Sequence, residues 1–120
     1  MRDVAAQTKA PFVVLEKTRR GDRAVEISAA HLDAYRTHTP VLVDDIISTG
    51  TTMRATLAQL AAAGMPRGVC IGVHAVFAGN AYEELRAVAG RVVTCDTIEH
   101  PSNTIMLSDA IAAAVANNSQ

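Results

Sequence analysis

The 120-residue sequence contains no apolar run approaching the roughly 20 residues needed to cross a bilayer, and no cationic-then-apolar leader opens it. No membrane partner is expected, and a reducing cytoplasm is the expected compartment. Cysteine is scarce: Cys70 and Cys95 stand far apart, inside the runs GVCIGV and RVVTCDT, where the residue is expected as a small buried hydrophobe rather than half of a disulfide. Lysine is equally scarce, with only Lys9 and Lys17. Net charge is nearly absent, at -1 with 19% charged residues, so nucleic acid is not the default partner. No pair of histidines has metal-ligand spacing, which leaves no zinc site to propose. Internal repeats and low-complexity segments are missing too.

What is present is ordinary globular material, 49% hydrophobic, long enough for one domain over residues 1–120 and too short for two. Its positive charge is uneven: Lys17, Arg19, Arg20 and Arg23 crowd into seven positions. Along the chain, strands and helices take turns. RDVAAQTK reads as the end of a helix stopped by Pro11. FVVLEK and AVEIS are β-branched runs joined by TRRGDR, which predicts a hairpin with a basic tip over Phe12 to Ser28. Val41 to Val43 follow Pro40 as a short, fully apolar strand. Met53, Leu57 and Leu60 then fall on one stripe of a helix, terminated by Gly64 and Pro66.

GVCIGVHAVF is a second buried strand, AYEELRAVAG a short helix ended by Gly90, and RVVTCDT a third strand. A loop with His100, Pro101, Ser102 and Asn103 leads into a closing helix. Leu107, Ile111 and Val115 form its stripe, with Ser108 as the expected N-cap. The alternation predicts an α/β fold, a parallel sheet covered by helices with right-handed crossovers.

Ligands of such sheets sit beyond the carboxyl ends of the strands. VLVDDIISTGTTM places Asp44 and Asp45 at the end of a strand and Ser48-Thr49-Gly50-Thr51-Thr52 at the start of a helix. First-turn N–H groups have no partner within a helix and carry a partial positive charge, which suits a phosphate. Gly50 is expected at positive φ, and the hydroxyls of Ser48, Thr49, Thr51 and Thr52 add donors. Two carboxylates repel phosphate but accept hydrogen bonds from vicinal hydroxyls, or hold Mg²⁺ through water. A phosphorylated sugar satisfies both halves. The plainer readings are a capped helix start, an exposed strand end and, for the basic run, a solvated hairpin face. VLVDD also resembles the opening of a receiver domain, with Asp96 at a tolerable distance, but that family needs a late lysine and none follows Lys17.

VLVDDIISTGTT resembles the ribose-5-phosphate loop shared by type I phosphoribosyltransferases and phosphoribosyl pyrophosphate synthetases (ribose-phosphate pyrophosphokinases). APFVVLEKTRRGDRAVEI is similar to the segment carrying the synthetases' catalytic loop, HAVFAGNAYEEL to their His-x-x-Phe/Leu-Ser-Gly-Pro-Ala stretch, and TCDTIEHPSNTIMLSDAIA to their closing segment. The resemblance covers nearly the whole chain and selects the synthetase. It implies a phosphoribosyltransferase-like fold with a basic β-hairpin flap. It also implies Mg²⁺-dependent transfer of the β,γ-diphosphoryl group of ATP to the 1-hydroxyl of ribose 5-phosphate, giving phosphoribosyl pyrophosphate and AMP.

By position, the resemblance gives Lys17 and Arg19 the catalytic role of contacting the ATP phosphates. This fits a transfer that needs positioning and compensating positive charge. Asp44 and Asp45 match the pair that holds the ribose 2- and 3-hydroxyls, and Ser48 through Thr52 match the loop around the 5-phosphate. Arg20 and Arg23 are less well supported candidates for phosphate contact, and the tripeptide Arg20-Gly21-Asp22 is a chance cell-adhesion match.

Two departures are local: Ser48 stands where many synthetases carry a third acid, and AGNA replaces SGPA after Phe77. The third is length, since family members carry two related α/β halves and this chain matches the carboxyl-terminal one. A fragment, a split subunit or a truncated paralogue is implied, inactive alone, with self-association or the missing amino-terminal half covering an exposed sheet edge. His74, at the carboxyl end of a buried strand, is a candidate to face the site, with packing as the plainer reading; His100 is a candidate to pack near a nucleotide or to cap a turn; and His31 and His38 are expected to be solvated. Two alternatives accompany this reading: a base phosphoribosyltransferase, against which the EKTRR hairpin argues, and a non-catalytic sugar-phosphate-binding partner of a synthetase, against which the intact Lys17 and Arg19 argue.

Overall fold

The computed structural model describes residues 2–11 and 33–118. The basic hairpin expected at 12–28, with Lys17, Arg19, Arg20 and Arg23, lies outside the described residues, as does His31. Helix α1 (Arg2–Thr8) ends where Lys9 turns left-handed at φ 57°, two residues ahead of Pro11.

Among the described residues four strands follow: β1 (Val41–Ile47), β2 (Val69–Ala75), β3 (Arg91–Cys95) and β4 (Asn103–Ile105). They form one parallel sheet in the order β1-β2-β3-β4. Helix α2 (Thr51–Ala62) connects β1 to β2, α3 (Ala81–Val88) connects β2 to β3, and α4 (Leu107–Asn118) follows β4. The parallel α/β architecture is the one the alternating pattern predicts.

Helices α2 and α3 lie side by side, joined by an Arg54–Glu84 ion pair at 3.0 Å. Beneath them is one apolar cluster, with Leu42 and Ile47 from β1, Met53, Leu57 and Leu60 from α2, Cys70 from β2, Leu85 from α3 and Val92 from β3. Full burial of a side chain such as Leu85 or Ile47 contributes roughly 1.5–3 kcal/mol. Ile47 reaches this cluster by lying over Gly72, where a Cβ would stand 2.6 Å from its Cδ1 and Cγ1. The last residue of β1 is therefore anchored by the missing side chain of its neighbour strand.

The stripe Met53, Leu57, Leu60 is buried as its spacing predicts. Helix α2 stops as the Gly64 signal indicates: Gly64 takes φ 84°, its N–H reaches Ala61 O at 3.0 Å, and Met65 N–H reaches Leu60 O at 3.0 Å. This paired closure satisfies carbonyls that the helix end would otherwise orphan.

Three expectations need correction. Strand β1 does not end at Val43. It continues through the two acids to Ile47, because Ile46 and Ile47 pair with His74 and Ala75 of β2 and β-branched residues suit that pairing. The segment after His100 is not all loop: Asn103–Ile105 forms β4, docked on β3 across a register shift at Thr94/Cys95. Ser108 does not cap α4. The helix begins one residue earlier, and its leading N–H, from Leu107, is taken by Asp96 Oδ1 at 2.7 Å, while the Ser108 hydroxyl donates to Asp96 Oδ2 at 2.9 Å. The α4 stripe is present in sequence, but none of that helix is buried among the described residues, and Ile111 and Val115 are exposed.

Candidate functional site

The loop after β1 opens with bends at Ser48 and Thr49 and reaches Gly50 at φ 70°, ψ 8°. That left-handed geometry is why glycine belongs there, since a Cβ at the position would meet nothing within 4 Å. Gly50 is the N-cap of α2, its carbonyl accepting Arg54 N–H at 2.9 Å, and it brings no side-chain cap. No acidic residue stands in the first turn. The partial positive charge at this helix start is thus left uncompensated by the residues that usually neutralise it. Thr49 and Thr51 turn their hydroxyls to each other at 3.2 Å, and the Thr51 N–H approaches Thr49 Oγ1 only at 3.5 Å.

A concavity of about 120 Å³ sits over this turn, lined by Asp44 and by Ile46 through Met53. The structure thereby gathers Asp44, Ser48, Thr49, Gly50, Thr51 and Thr52 around one space. Asp45 flanks it from the same strand without lining it. Both acids are exposed, and each turns a carboxylate oxygen back to the next amide: Asp44 Oδ1 accepts Asp45 N–H at 2.8 Å and Asp45 Oδ1 accepts Ile46 N–H at 2.9 Å. The Asp45 carboxyl is held below the usual carboxylate range by its hydrogen bond with Asp44, then by the Ile46 N–H, with the charge of His74 acting in the same direction.

The loop after β2 is tied to this one. Phe77 N–H donates to Ile47 O at 2.9 Å and Ala78 N–H to Ser48 O at 2.9 Å. The AGNA turn runs through left-handed residues on both sides of Ala78, Phe77 at φ 37° and Gly79 at φ 58°. Such a φ in a bulky residue costs of order 1–3 kcal/mol and persists only where packing dictates it. Here the Phe77 ring is gripped by Tyr82 at 5.0 Å and His100 at 4.6 Å.

His100 closes a turn: its Nδ1 accepts Ser102 N–H at 3.1 Å, and its own N–H donates to Asn103 Oδ1 at 3.0 Å. His38 is exposed, edge-on to Tyr35 at 5.3 Å. Cys70 and Cys95 are free and buried, as their apolar surroundings predict, and burial pushes the Cys70 thiol up to about 11. Among the described residues no helix is long and apolar enough to cross a membrane, and no group of three or more His, Cys, Asp or Glu converges as a metal site. Thr97 and the Phe77 N–H are the contributors near this region that sequence reasoning missed. Neither belongs to a local pattern, because each acts across strands.

The family model described as phosphoribosyl transferase domain matches residues 1–109. The chain belongs to the phosphoribosyl transferase domain family. Within the family it is similar to the ribose-phosphate pyrophosphokinase of Sulfurisphaera tokodaii, 31% identical over 116 residues that cover 94% of this chain and 39% of the relative. The ribose-phosphate pyrophosphokinase of Methanopyrus kandleri is 33% identical over 117 residues, 97% of this chain and 40% of the relative. That of Methanosarcina acetivorans is 34% identical over 102 residues, 84% and 36% respectively. This phosphoribosyl transferase domain thus spans about 40% of the length of the relatives it matches, and the match falls on their carboxyl-terminal portion.

Proposed function

We propose that this chain is the sugar-phosphate-binding domain of a ribose-phosphate diphosphokinase, and that it recognises ribose 5-phosphate in the concavity over Gly50. The observation that carries the reading is the start of α2, with neither a side-chain cap nor an acidic first-turn residue, beside a space that Asp44 also lines. The first-turn N–H groups of α2 and the hydroxyls of Ser48, Thr49, Thr51 and Thr52 receive the 5-phosphate. Asp44 and Asp45, rooted in β1, accept the 2- and 3-hydroxyls, which keeps them away from the phosphate while fixing the furanose.

Lys17 and Arg19 take the ATP phosphates in this reading. The ribose 1-oxygen attacks the β-phosphorus of ATP, its bond to that phosphorus forms as the bond to the α-phosphate oxygen breaks, and AMP leaves. The charge that spreads over the transferring oxygens is met by the two cationic side chains. Two adjacent exposed carboxylates are hard oxygen donors that suit Mg²⁺ through its water shell, together with substrate phosphates. When bound, Mg²⁺ would add positive charge at the transferring phosphates.

We infer that the chain alone does not turn over and that its complement is the rest of the synthetase or a second chain. The names of the relatives favour this over a base phosphoribosyltransferase. Titration of the chain with ribose 5-phosphate, followed through the amide signals of residues 48–52, tests the binding reading. Those five signals shift together if it is right; signals that stay still at saturating sugar phosphate overturn it. AMP release from ATP and ribose 5-phosphate tests the incompleteness, and brisk release by the chain by itself would contradict it.

A further inference from the structure

Phe77 is a bulky residue with a left-handed backbone, and such an outlier is kept where the surrounding structure makes use of it. The hydrogen bonds on either side of its Cα show what the turn does. The N–H of Phe77 reaches Ile47 O and the next N–H, of Ala78, reaches Ser48 O, each at 2.9 Å. In an extended chain successive N–H groups point to opposite sides. Here two in succession point the same way, and the turn at Phe77 is what permits it.

The acceptors show the matching break. Ile47 and Ser48 offer successive carbonyls to one side, so the alternation of β1 ends at Ser48, where the chain bends. Among the described residues no peptide bond is cis, and across a trans peptide the N–H points opposite to the C=O. With the carbonyls of Ile47 and Ser48 drawn towards the Phe77 turn, the N–H groups of Ser48 and Thr49 are both turned away from it. Neither has an acceptor among the described residues, and both residues line the concavity.

The Phe77 ring is what holds the turn. It packs against the apolar cluster and Tyr82, and His100 lies against it at 4.6 Å with the two planes 33° apart. His100 is itself seated from the interior: its Nδ1 takes Ser102 N–H at 3.1 Å and lies 2.8 Å from Ser102 Oγ. That buried hydroxyl is 2.7 Å from the hydroxyl of buried Thr94 on β3.

We propose that Phe77, held in its left-handed turn by His100, is the positioning residue of the loop over Gly50. It draws two carbonyl oxygens away from a bound anion and leaves the N–H groups of Ser48 and Thr49 free to meet it. A carbonyl left facing the phosphate would repel it. The assignment rests on the ribose 5-phosphate reading of the concavity and adds to it the device that aims the amides.

Phe77→Gly and Phe77→Val, on the ¹⁵N-labelled chain, separate the turn from the ring. Both lose the ring, but glycine takes a positive φ freely and a β-branched residue resists it. Phe77→Gly is expected to bind ribose 5-phosphate within about threefold of the parent. Phe77→Val should bind roughly tenfold or more weakly, the worth of one hydrogen bond to a charged group. His100→Ala should weaken binding when Phe77 is present and change nothing further in a chain already carrying Phe77→Gly, because glycine has no strain to be held against. The nuclear Overhauser effect between the Phe77 N–H and its own Hα, strong at positive φ, should fade in His100→Ala. The parent chain supplies a test that no variant's folding can spoil: Ser48 and Thr49 N–H exchange freely until ribose 5-phosphate protects them, while Phe77 and Ala78 N–H are protected throughout.

If Phe77→Gly and Phe77→Val bind alike, if His100→Ala weakens both backgrounds equally, or if amides 50–52 shift while Ser48 and Thr49 stay unprotected, the Phe77 assignment is wrong and the sugar-phosphate site stands. If ribose 5-phosphate moves none of amides 48–52 in the parent, the site reading fails and the assignment goes with it.

Discussion

The Asp96 carboxylate takes the backbone N–H of Leu107 at 2.7 Å, so the start of α4 is fastened to the end of the strand two elements before it. The Ser108 hydroxyl completes a fork on the other carboxylate oxygen. These bonds, the Ser108 hydroxyl first and the Leu107 N–H second, hold the Asp96 carboxyl below the usual carboxylate range. A depressed carboxyl stabilises the folded state above the ordinary carboxylate pKa of about 4 and stops doing so as pH falls through its own lower value. Asp96→Ala is expected to raise amide exchange through the first turn of α4 at neutral pH, with Asp96→Asn keeping part of the protection. Acidification of the parent chain below pH about 4 should produce the same fraying, and exchange rates at Leu107 and Ser108 that do not respond to either change would disprove the fastening.

Gly50→Ala places a Cβ in open space, so its effect is conformational alone. An L-residue held in the left-handed region costs roughly 1–2 kcal/mol. Urea unfolding should show a loss near that size with an unchanged m-value, and ribose 5-phosphate should bind more weakly because the first turn of α2 tilts away. Gly50→Asn, better tolerated in that region, should recover part of both.

Thr94 is fully buried and shares its hydroxyl between Ser102 Oγ at 2.7 Å and Asn103 Nδ2 at 2.9 Å. Thr94→Val keeps the shape and removes the partner for both. The expected loss is about 1–3 kcal/mol, with β4 detaching before the rest of the sheet. Thr94→Ser, which keeps the hydroxyl, should cost less. Denaturant midpoints of the two variants measure the difference.

The thiol of Cys70 ionises near 11 instead of its ordinary 9.0 because it is buried. Between those two values the unfolded chain releases a proton that the folded chain retains, so stability should decline as pH rises through that window. Below it, a thiol-specific reagent should modify Cys70 no faster than the chain unfolds. Prompt labelling of the native chain at pH 8 would show that the site is open.

Much of this was legible in the chain, and the exceptions share a cause. The loop at 48–52 could be read because small hydroxyl residues and a glycine directly precede the Met53, Leu57, Leu60 spacing. The second and third strands could be read because buried parallel strands are plain apolar runs. Strand β4 could not, since its three residues carry no pattern and are held by the Asn103 amide reaching Cys95 O at 2.8 Å. The cap on α4 is not legible near Ser108 because the acceptor of the Leu107 N–H, Asp96, stands 11 residues before Leu107. Adjacency in sequence does not carry Asp44 and Asp45 to one face, because adjacent residues in a strand point apart, and of the two only Asp44 lines the concavity.

The amides of Phe77 and Ala78, bonded to the carbonyls of Ile47 and Ser48, splint the mouth of the concavity to the central strand. A splinted rim has spent its conformational freedom during folding, so an anion settling there orders little further backbone. Its capture should therefore register as a small entropy change, with the rim as stiff before the ligand arrives as after.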